Sequence, residues 1–265
     1  MIPKNIYQTQ KSQDFINSRY RLKEGQDSWK KHEAKGFNYH FYNDQECDSF
    51  IKEHFNDIYD AYQKLPIPVM KADLWRYCVV YHYGGIYADA DTYCNIRDLN
   101  KIFIKDKQFV GTIEDNLITF CNWIFATPAK SPFLKEVIDL SVQRIRSCDN
   151  FQVEHITHYL TGPAVFSTAI EQFLSSLNKP IHRNRIFFRE KMTEVIDYLS
   201  LNNSDMIIYE PIDFHKNKIQ HLFSGQWIGG WIDDVHELTG IEHIKTNIDE
   251  QGNWMGDIAY KNKYK

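Results

Sequence analysis

The feature that most constrains this chain is a double glycine, Gly84-Gly85, set between two stretches of different character. Ahead of it, Pro66 and Pro68 suit extended or first-turn positions and not a helix interior, so a helix is expected to begin there. Met70, Leu74, Tyr77, Cys78 and Tyr81 recur at helical spacing and form a candidate core stripe. Asp73 and Arg76 are three apart, which projects both heads from one side of that helix. The glycines end it, because glycine accepts a left-handed cap without steric cost. Behind them, Ile86-Tyr87-Ala88 is bounded by glycines and acids and is read as a short buried strand. Asp89 and Asp91 follow it. On a regular strand residues two apart share a face, and at a strand end both can reach one cation.

An isolated Asp-x-Asp says little, since an aspartate-rich chain contains such spacings by chance; the helix, the double glycine and the intervening aromatic supply the information. Hard divalent cations such as Mg²⁺ or Mn²⁺ take one or two protein carboxylates and leave positions for water and phosphate. A carboxylate pair of this kind therefore suits neutralisation of a departing diphosphate.

Ala72-Asp73-Leu74-x-Arg76-Tyr77 followed by Tyr83-Gly84-Gly85-Ile86-Tyr87-Ala88-Asp89-x-Asp91-Thr92 resembles the sugar-binding region of the Och1-like glycosyltransferases of family 32. It is distantly similar to the clostridial glucosylating toxins. Ile2-Pro3-Lys4-Asn5-Ile6-Tyr7-Gln8-Thr9 resembles the family's opening strand, and Thr161-Gly162-Pro163 and His221-x-x-x-Gly225-x-Trp227 match more weakly. The resemblance implies an α/β fold of the GT-A type, a Rossmann-like mixed sheet flanked by helices. It implies a catalytic domain over 1–230, with 231–265 as a C-terminal extension forming a lid or cap. The implied activity is retaining, metal-dependent transfer of a hexose to a hydroxyl acceptor. The donor is a nucleoside-diphosphate sugar, UDP-hexose or GDP-mannose, and the acceptor is a glycan, a lipid-linked group or a protein. By the same resemblance, Asp91 ligates Mn²⁺ or Mg²⁺, Asp89 binds ribose, sugar or the metal through water, and His221 completes the metal shell. Asp73 takes donor-sugar hydroxyls, with Arg76 holding it. Tyr7, Gln8 and Thr9 lie near the base or ribose, and Tyr87 packs on ribose or sugar. Asn122 and the helix start at Gly162 face the donor, and Gly225 and Trp227 close over the diphosphate.

The apolar fraction of 43% and charged fraction of 25% are ordinary for a folded α/β domain. A net charge of −4 points away from nucleic acid. Five cysteines, an odd count without a Cys-x-x-Cys, fit a reducing compartment. No apolar run has the length of a membrane span, and Met1-Ile2-Pro3-Lys4 leads directly into a polar strand without a signal-peptide pattern. The expected location is therefore cytoplasmic, with membrane association only through the acceptor, unless an anchor has been removed. The Lys- and Asn-rich composition suggests a bacterial or viral source.

Strands are expected at Asn5–Thr9, Asn38–Tyr42, Phe109–Thr112, Leu117–Ala126 and Met206–Tyr209, with helices over 18–36, 57–65, 133–146 and 163–177. Asn43 with Glu46 reads as a capping box. Other readings give different chemistry. A non-catalytic glycan- or nucleotide-binding relative would keep the site without turnover. A phosphatase using Asp-x-Asp would place a nucleophilic Asp at the end of the first strand. A glycoside hydrolase would need two carboxylates free of metal.

Overall fold

The computed structural model describes residues 1–114, 119–153, 155–177, 206–209 and 214–222. A six-stranded mixed sheet has the order β2-β1-β3-β6-β5-β7, built from β1 (Asn5–Thr9), β2 (Asn38–Tyr42), β3 (Gly85–Ala88), β5 (Phe109–Ile113), β6 (Phe120–Thr127) and β7 (Met206–Tyr209). β1 pairs in parallel with both β2 and β3, so the C-terminal ends of all three open on one edge. In sheets of this kind that edge is where ligands bind. β6 runs antiparallel to β3 and β5. A separate two-stranded ribbon joins β4 (Thr92–Cys94) to β8 (Ile219–His221).

After the short α1 (Gln13–Asn17), which was not expected, α2 (Tyr20–Lys30) and a 3₁₀ turn over Lys31–Lys35 stand where one charged helical stretch was expected over 18–36. Trp29 anchors α2 in the core. α3 (Asp44–His54) starts at the Asn43/Glu46 capping box, and α4 (Tyr59–Lys64) is shorter than the range read from sequence. After α5 (Pro68–Tyr83) come the short α6 (Leu99–Ile102), α7 (Pro132–Arg146), α8 (Ile156–Leu160) and α9 (Pro163–Ser176).

α5 is the central helix. Pro68 sits in its first turn, where the missing N–H costs nothing. Its residues from Asp73 to Val80 are all buried, so the expected one-sided stripe understates it. The helix lies between the sheet on one side and α3 and α7 on the other. A helix covered on most of its surface loses the amphipathic period. Truncating the fully buried Trp75 to Ala would cost about 3–5 kcal/mol.

The double glycine is required twice over. Gly84 has φ +70 and Gly85 φ +133. A Cβ on Gly84 would stand 2.4 Å from the Ala129 backbone nitrogen, and one on Gly85 would stand 2.7 Å from the Asn5 carbonyl. Only glycine turns the chain sharply enough to carry α5 straight into β3.

One irregularity shapes the site edge. Gly111 pairs with Phe125 and Ile113 with Phe120, so four residues of β6, Cys121 to Ile124, oppose the single Thr112 of β5. Such a bulge bends the strand and re-aims its side chains. Asn122 consequently points to α5 while Trp123 points to the β4–β8 ribbon.

Candidate active site

The two aspartates do not alternate along a strand. β3 ends at Ala88 and β4 begins at Thr92, and a tight turn joins them, closed by the Thr92 amide and hydroxyl donating to the Asp89 carbonyl at 3.1 and 2.6 Å. It is this turn that brings the carboxylates together. Gln8 donates to the same carbonyl at 3.0 Å, and its own Oε1 accepts from Tyr39 at 2.7 Å. Beneath the turn, Trp29 donates from its indole to Thr92 Oγ1 at 3.0 Å. The turn is thus held by hydrogen bonds from β1, β4 and α2.

His221 reaches the turn across the β4–β8 ribbon, where it is the register partner of Thr92. Its Nε2 lies 3.6 Å from Asp91 Oδ1 and 4.0 Å from Asp89 Oδ2. One ligand atom from each of the three residues falls within 4.8 Å of the others. Two hard carboxylates and an imidazole form a donor set that accepts Mn²⁺ or Mg²⁺ with positions left for phosphate or water. This is the only such cluster among the described residues.

Arg76 connects this cluster to the helix behind it. It pairs with Asp73 at 2.9 Å and with Asp89 at 3.3 Å, and donates to the Asn122 carbonyl at 3.0 Å. Its guanidinium lies over the Tyr87 ring at 4.6 Å. Tyr87 donates to Asp89 Oδ1 at 2.5 Å. Asp73 also accepts from Asn122 Nδ2 and from Thr161 Oγ1, both at 3.1 Å. Tyr77 completes the network: its hydroxyl donates to the Thr161 carbonyl at 2.6 Å and accepts from Asn122 at 2.9 Å. Burial pushes the Asp73 carboxyl up to about 7, against the opposing pull of Arg76. Burial likewise raises Asp89, again opposed by Arg76.

Beside the site, a cavity of about 610 Å³ opens between β1, the start of α3 and the start of α5. Thr9, Asp44, Gln45, Pro68, Lys71 and Ala72 line it. Ala72 immediately precedes Asp73, while Asp73, Asp89, Asp91 and His221 themselves are not among the residues that line the cavity.

Several residues sit differently from their sequence-based placement. Tyr7 is buried and stacks on His40 at 5.0 Å, in the core and away from the sheet edge. Gln8 is also buried and braces the turn. Thr9 alone of that trio lines the cavity. Tyr87, 1% exposed, supports Asp89 from below and presents no face to a sugar. The Gly162 amide donates to the Thr157 carbonyl at 2.8 Å, so it is the preceding Thr161 that turns toward Asp73. Asn122 reaches Asp73 directly. Gly225, Trp227 and the extension 231–265 lie outside the described residues. Thr161 and Tyr77 stand within the matched motifs and Trp123 beside Asn122, but no role at the site attaches to any of the three from sequence, because motif membership and adjacency carry no direction.

Residues 19–109 match the family described as "Glycosyltransferase sugar-binding region containing DXD motif". Inositol phosphoceramide mannosyltransferase 1 of Schizosaccharomyces pombe is 30% identical over 54% of this chain and 41% of its own length. The initiation-specific alpha-1,6-mannosyltransferase of Candida albicans is 24% identical over 85% of this chain and 72% of its own. Against the first of these, the chain spans less than half of the relative. Among solved structures, PaToxG Glycosyltransferase superposes with a TM-score of 0.50 at 17% identity, over 74% of this chain and 76% of that one. At that identity the likeness shows the fold, and the fold is of the GT-A type. The resemblance to Och1-like glycosyltransferases therefore stands. The curated relatives named are all from yeasts. That finding points to a eukaryotic origin and overturns the expected bacterial or viral source, on which the expected cytoplasmic setting leaned. No helix among the described residues is long and apolar enough to cross a membrane.

Proposed function

On the premise that residues 19–109 carry the DXD-containing sugar-binding region of the glycosyltransferases, we propose that this chain transfers a hexose from a nucleoside-diphosphate sugar to an acceptor hydroxyl. The observation that carries the reading is the convergence of Asp89, Asp91 and His221 beside the buried Arg76–Asp73 pair. The mannosyltransferase names of the relatives make mannose the first hexose to test and a glycan or lipid hydroxyl the first acceptor.

Asp91, Asp89 and His221 would hold Mn²⁺ or Mg²⁺, which when bound neutralises charge on a leaving diphosphate. The cavity at Thr9, Gln45 and Ala72 takes the nucleoside, since it opens on the same sheet edge. Asp73 binds donor-sugar hydroxyls. Its two oxygens offer roughly four acceptor positions. Arg76, Asn122 and Thr161 take up three of them. What remains is aimed by those same partners. Arg76 keeps Asp73 and Asp89 in register and offsets negative charge that develops on the diphosphate.

The chemistry needs no covalent nucleophile. The acceptor oxygen forms its bond to the anomeric carbon as the bond to the diphosphate oxygen breaks, on the same face, with retention. The acceptor proton passes to the departing phosphate oxygen. Catalysis then rests on positioning and electrostatics.

The test is a screen of GDP-mannose and UDP-hexoses for transfer and donor hydrolysis, with Mn²⁺ and with EDTA. Mn²⁺-dependent release of nucleoside diphosphate is the expected result. Binding of donor without turnover under every condition would instead favour the non-catalytic relative.

A further inference from the structure

β8 is an edge strand of a two-stranded ribbon, and its pairing with β4 sets the position of the His221 backbone but not the direction of its ring. The side chain is 19% exposed. An imidazole there can rotate away from the aspartates unless something packs against it.

Trp123 is that something. Its indole meets the His221 ring edge to face, with centroids 5.0 Å apart and planes at 78°. It also packs against His215, with centroids 5.1 Å apart. His215 Nε2 in turn lies 3.7 Å from the Cys121 thiol. Trp123 is 7% exposed, so this stack is an internal wall and not a platform for a sugar. The same residue accepts a hydrogen bond from the Asp89 amide on its carbonyl at 2.8 Å. Backbone and side chain of one residue thus brace two members of the cation cluster. The β6 bulge makes this possible by turning Trp123 to the ribbon while its neighbour Asn122 serves Asp73.

We infer that Trp123 is a positioning residue for the cation site, locking the His221 ring toward Asp91 while its carbonyl holds the Asp89 backbone. This rests on the cation reading proposed above. Outer groups that orient a metal ligand affect affinity by about 10- to 100-fold when removed. The carbonyl survives any side-chain change, so the ring contribution alone is expected near the lower figure.

The experiment titrates Mn²⁺ into the full chain without donor, reading free ion by electron paramagnetic resonance, with thermal unfolding as the check on folding. W123L is expected to weaken Mn²⁺ binding about tenfold. W123F, which keeps an aromatic edge, should weaken it less. H221A should weaken it at least as much as W123L, and adding W123L to H221A should change nothing further, because the tryptophan acts through the histidine. Wild-type affinity in W123L, or an equal loss in the H221A background, overturns the inference. Should W123L fail to fold, W123F carries the same cycle. If D91N binds Mn²⁺ like the wild type, the cation reading itself falls and this inference with it, so the two failures are told apart.

Discussion

The two halves of the site are built on opposite principles. The Asp73–Arg76–Asn122–Thr161 network is nearly closed: Asp73 and Arg76 are each about 5% exposed, and protein partners take most of their hydrogen-bonding positions. The Asp89–Asp91–His221 cluster is open, with side chains between 10% and 23% exposed and ligand atoms converging on a common point. A closed network fixes geometry at the cost of desolvating its charges. An open cluster keeps part of each charged group accessible to a ligand. Arg76 belongs to both, since it spans from Asp73 to Asp89. The contrast teaches that the helix side of the site is preorganised by folding, whereas the turn side is preorganised for a ligand.

The contrast can be broken most forcefully at Asp91. D91N should lower transfer by at least about 10²-fold, as loss of a charge-stabilising group does. Its melting temperature should stay close to that of the wild type, because Asp91 belongs to the open half. Kinetics with calorimetry on the same sample measure both, and a large stability loss would show that the turn is structural. The converse holds at Arg76. R76M leaves Asp73 and Asp89 without their cation and should destabilise the fold by about 3–5 kcal/mol in urea denaturation. A mild effect there would mean that the network is not closed.

A finer probe is T161V, which removes one donor to Asp73 and keeps the shape. It should cost about 1–2 kcal/mol of stability and raise the donor KM more than it lowers kcat. An unchanged KM would separate Thr161 from donor binding. A further probe is pH dependence. Asp73 is raised from 3.8 to about 7, so between those values the folded state holds a proton that the unfolded state has released. Its contribution to stability is therefore complete below 3.8 and is lost as pH rises through about 7. Stability curves for D73N should be flatter than those of the wild type across that window, and parallel curves would contradict the shift.

Much of the scaffold is legible in the sequence. β2 matches its expected range, α7 and α9 start within a residue of theirs, and the Asn43/Glu46 box caps α3 as read. These are local matters of periodicity, proline and capping chemistry. The burial of α5 on nearly all sides was not legible, because the period of a helix disappears when several layers cover it. The burial of Tyr7 and Tyr87 was not legible for a related reason. Residue type places an aromatic near a site, but strand parity and packing decide whether its face looks outward or into the core.

By itself, the sequence determined that a helix, a double glycine and a carboxylate pair follow one another in that order. Those glycines admit no other residue at their torsions and contacts, and a chain so turned must deliver both acids to the end of β3. Only the tertiary structure decided what meets them there. His221 arrives from a strand well over a hundred residues on, Thr161 from a helix boundary, and Trp123 from a bulge. No local rule couples these segments. Their meeting follows from the packing of the sheet and the ribbon, where side chains distant along the chain are brought within hydrogen-bond or van der Waals reach.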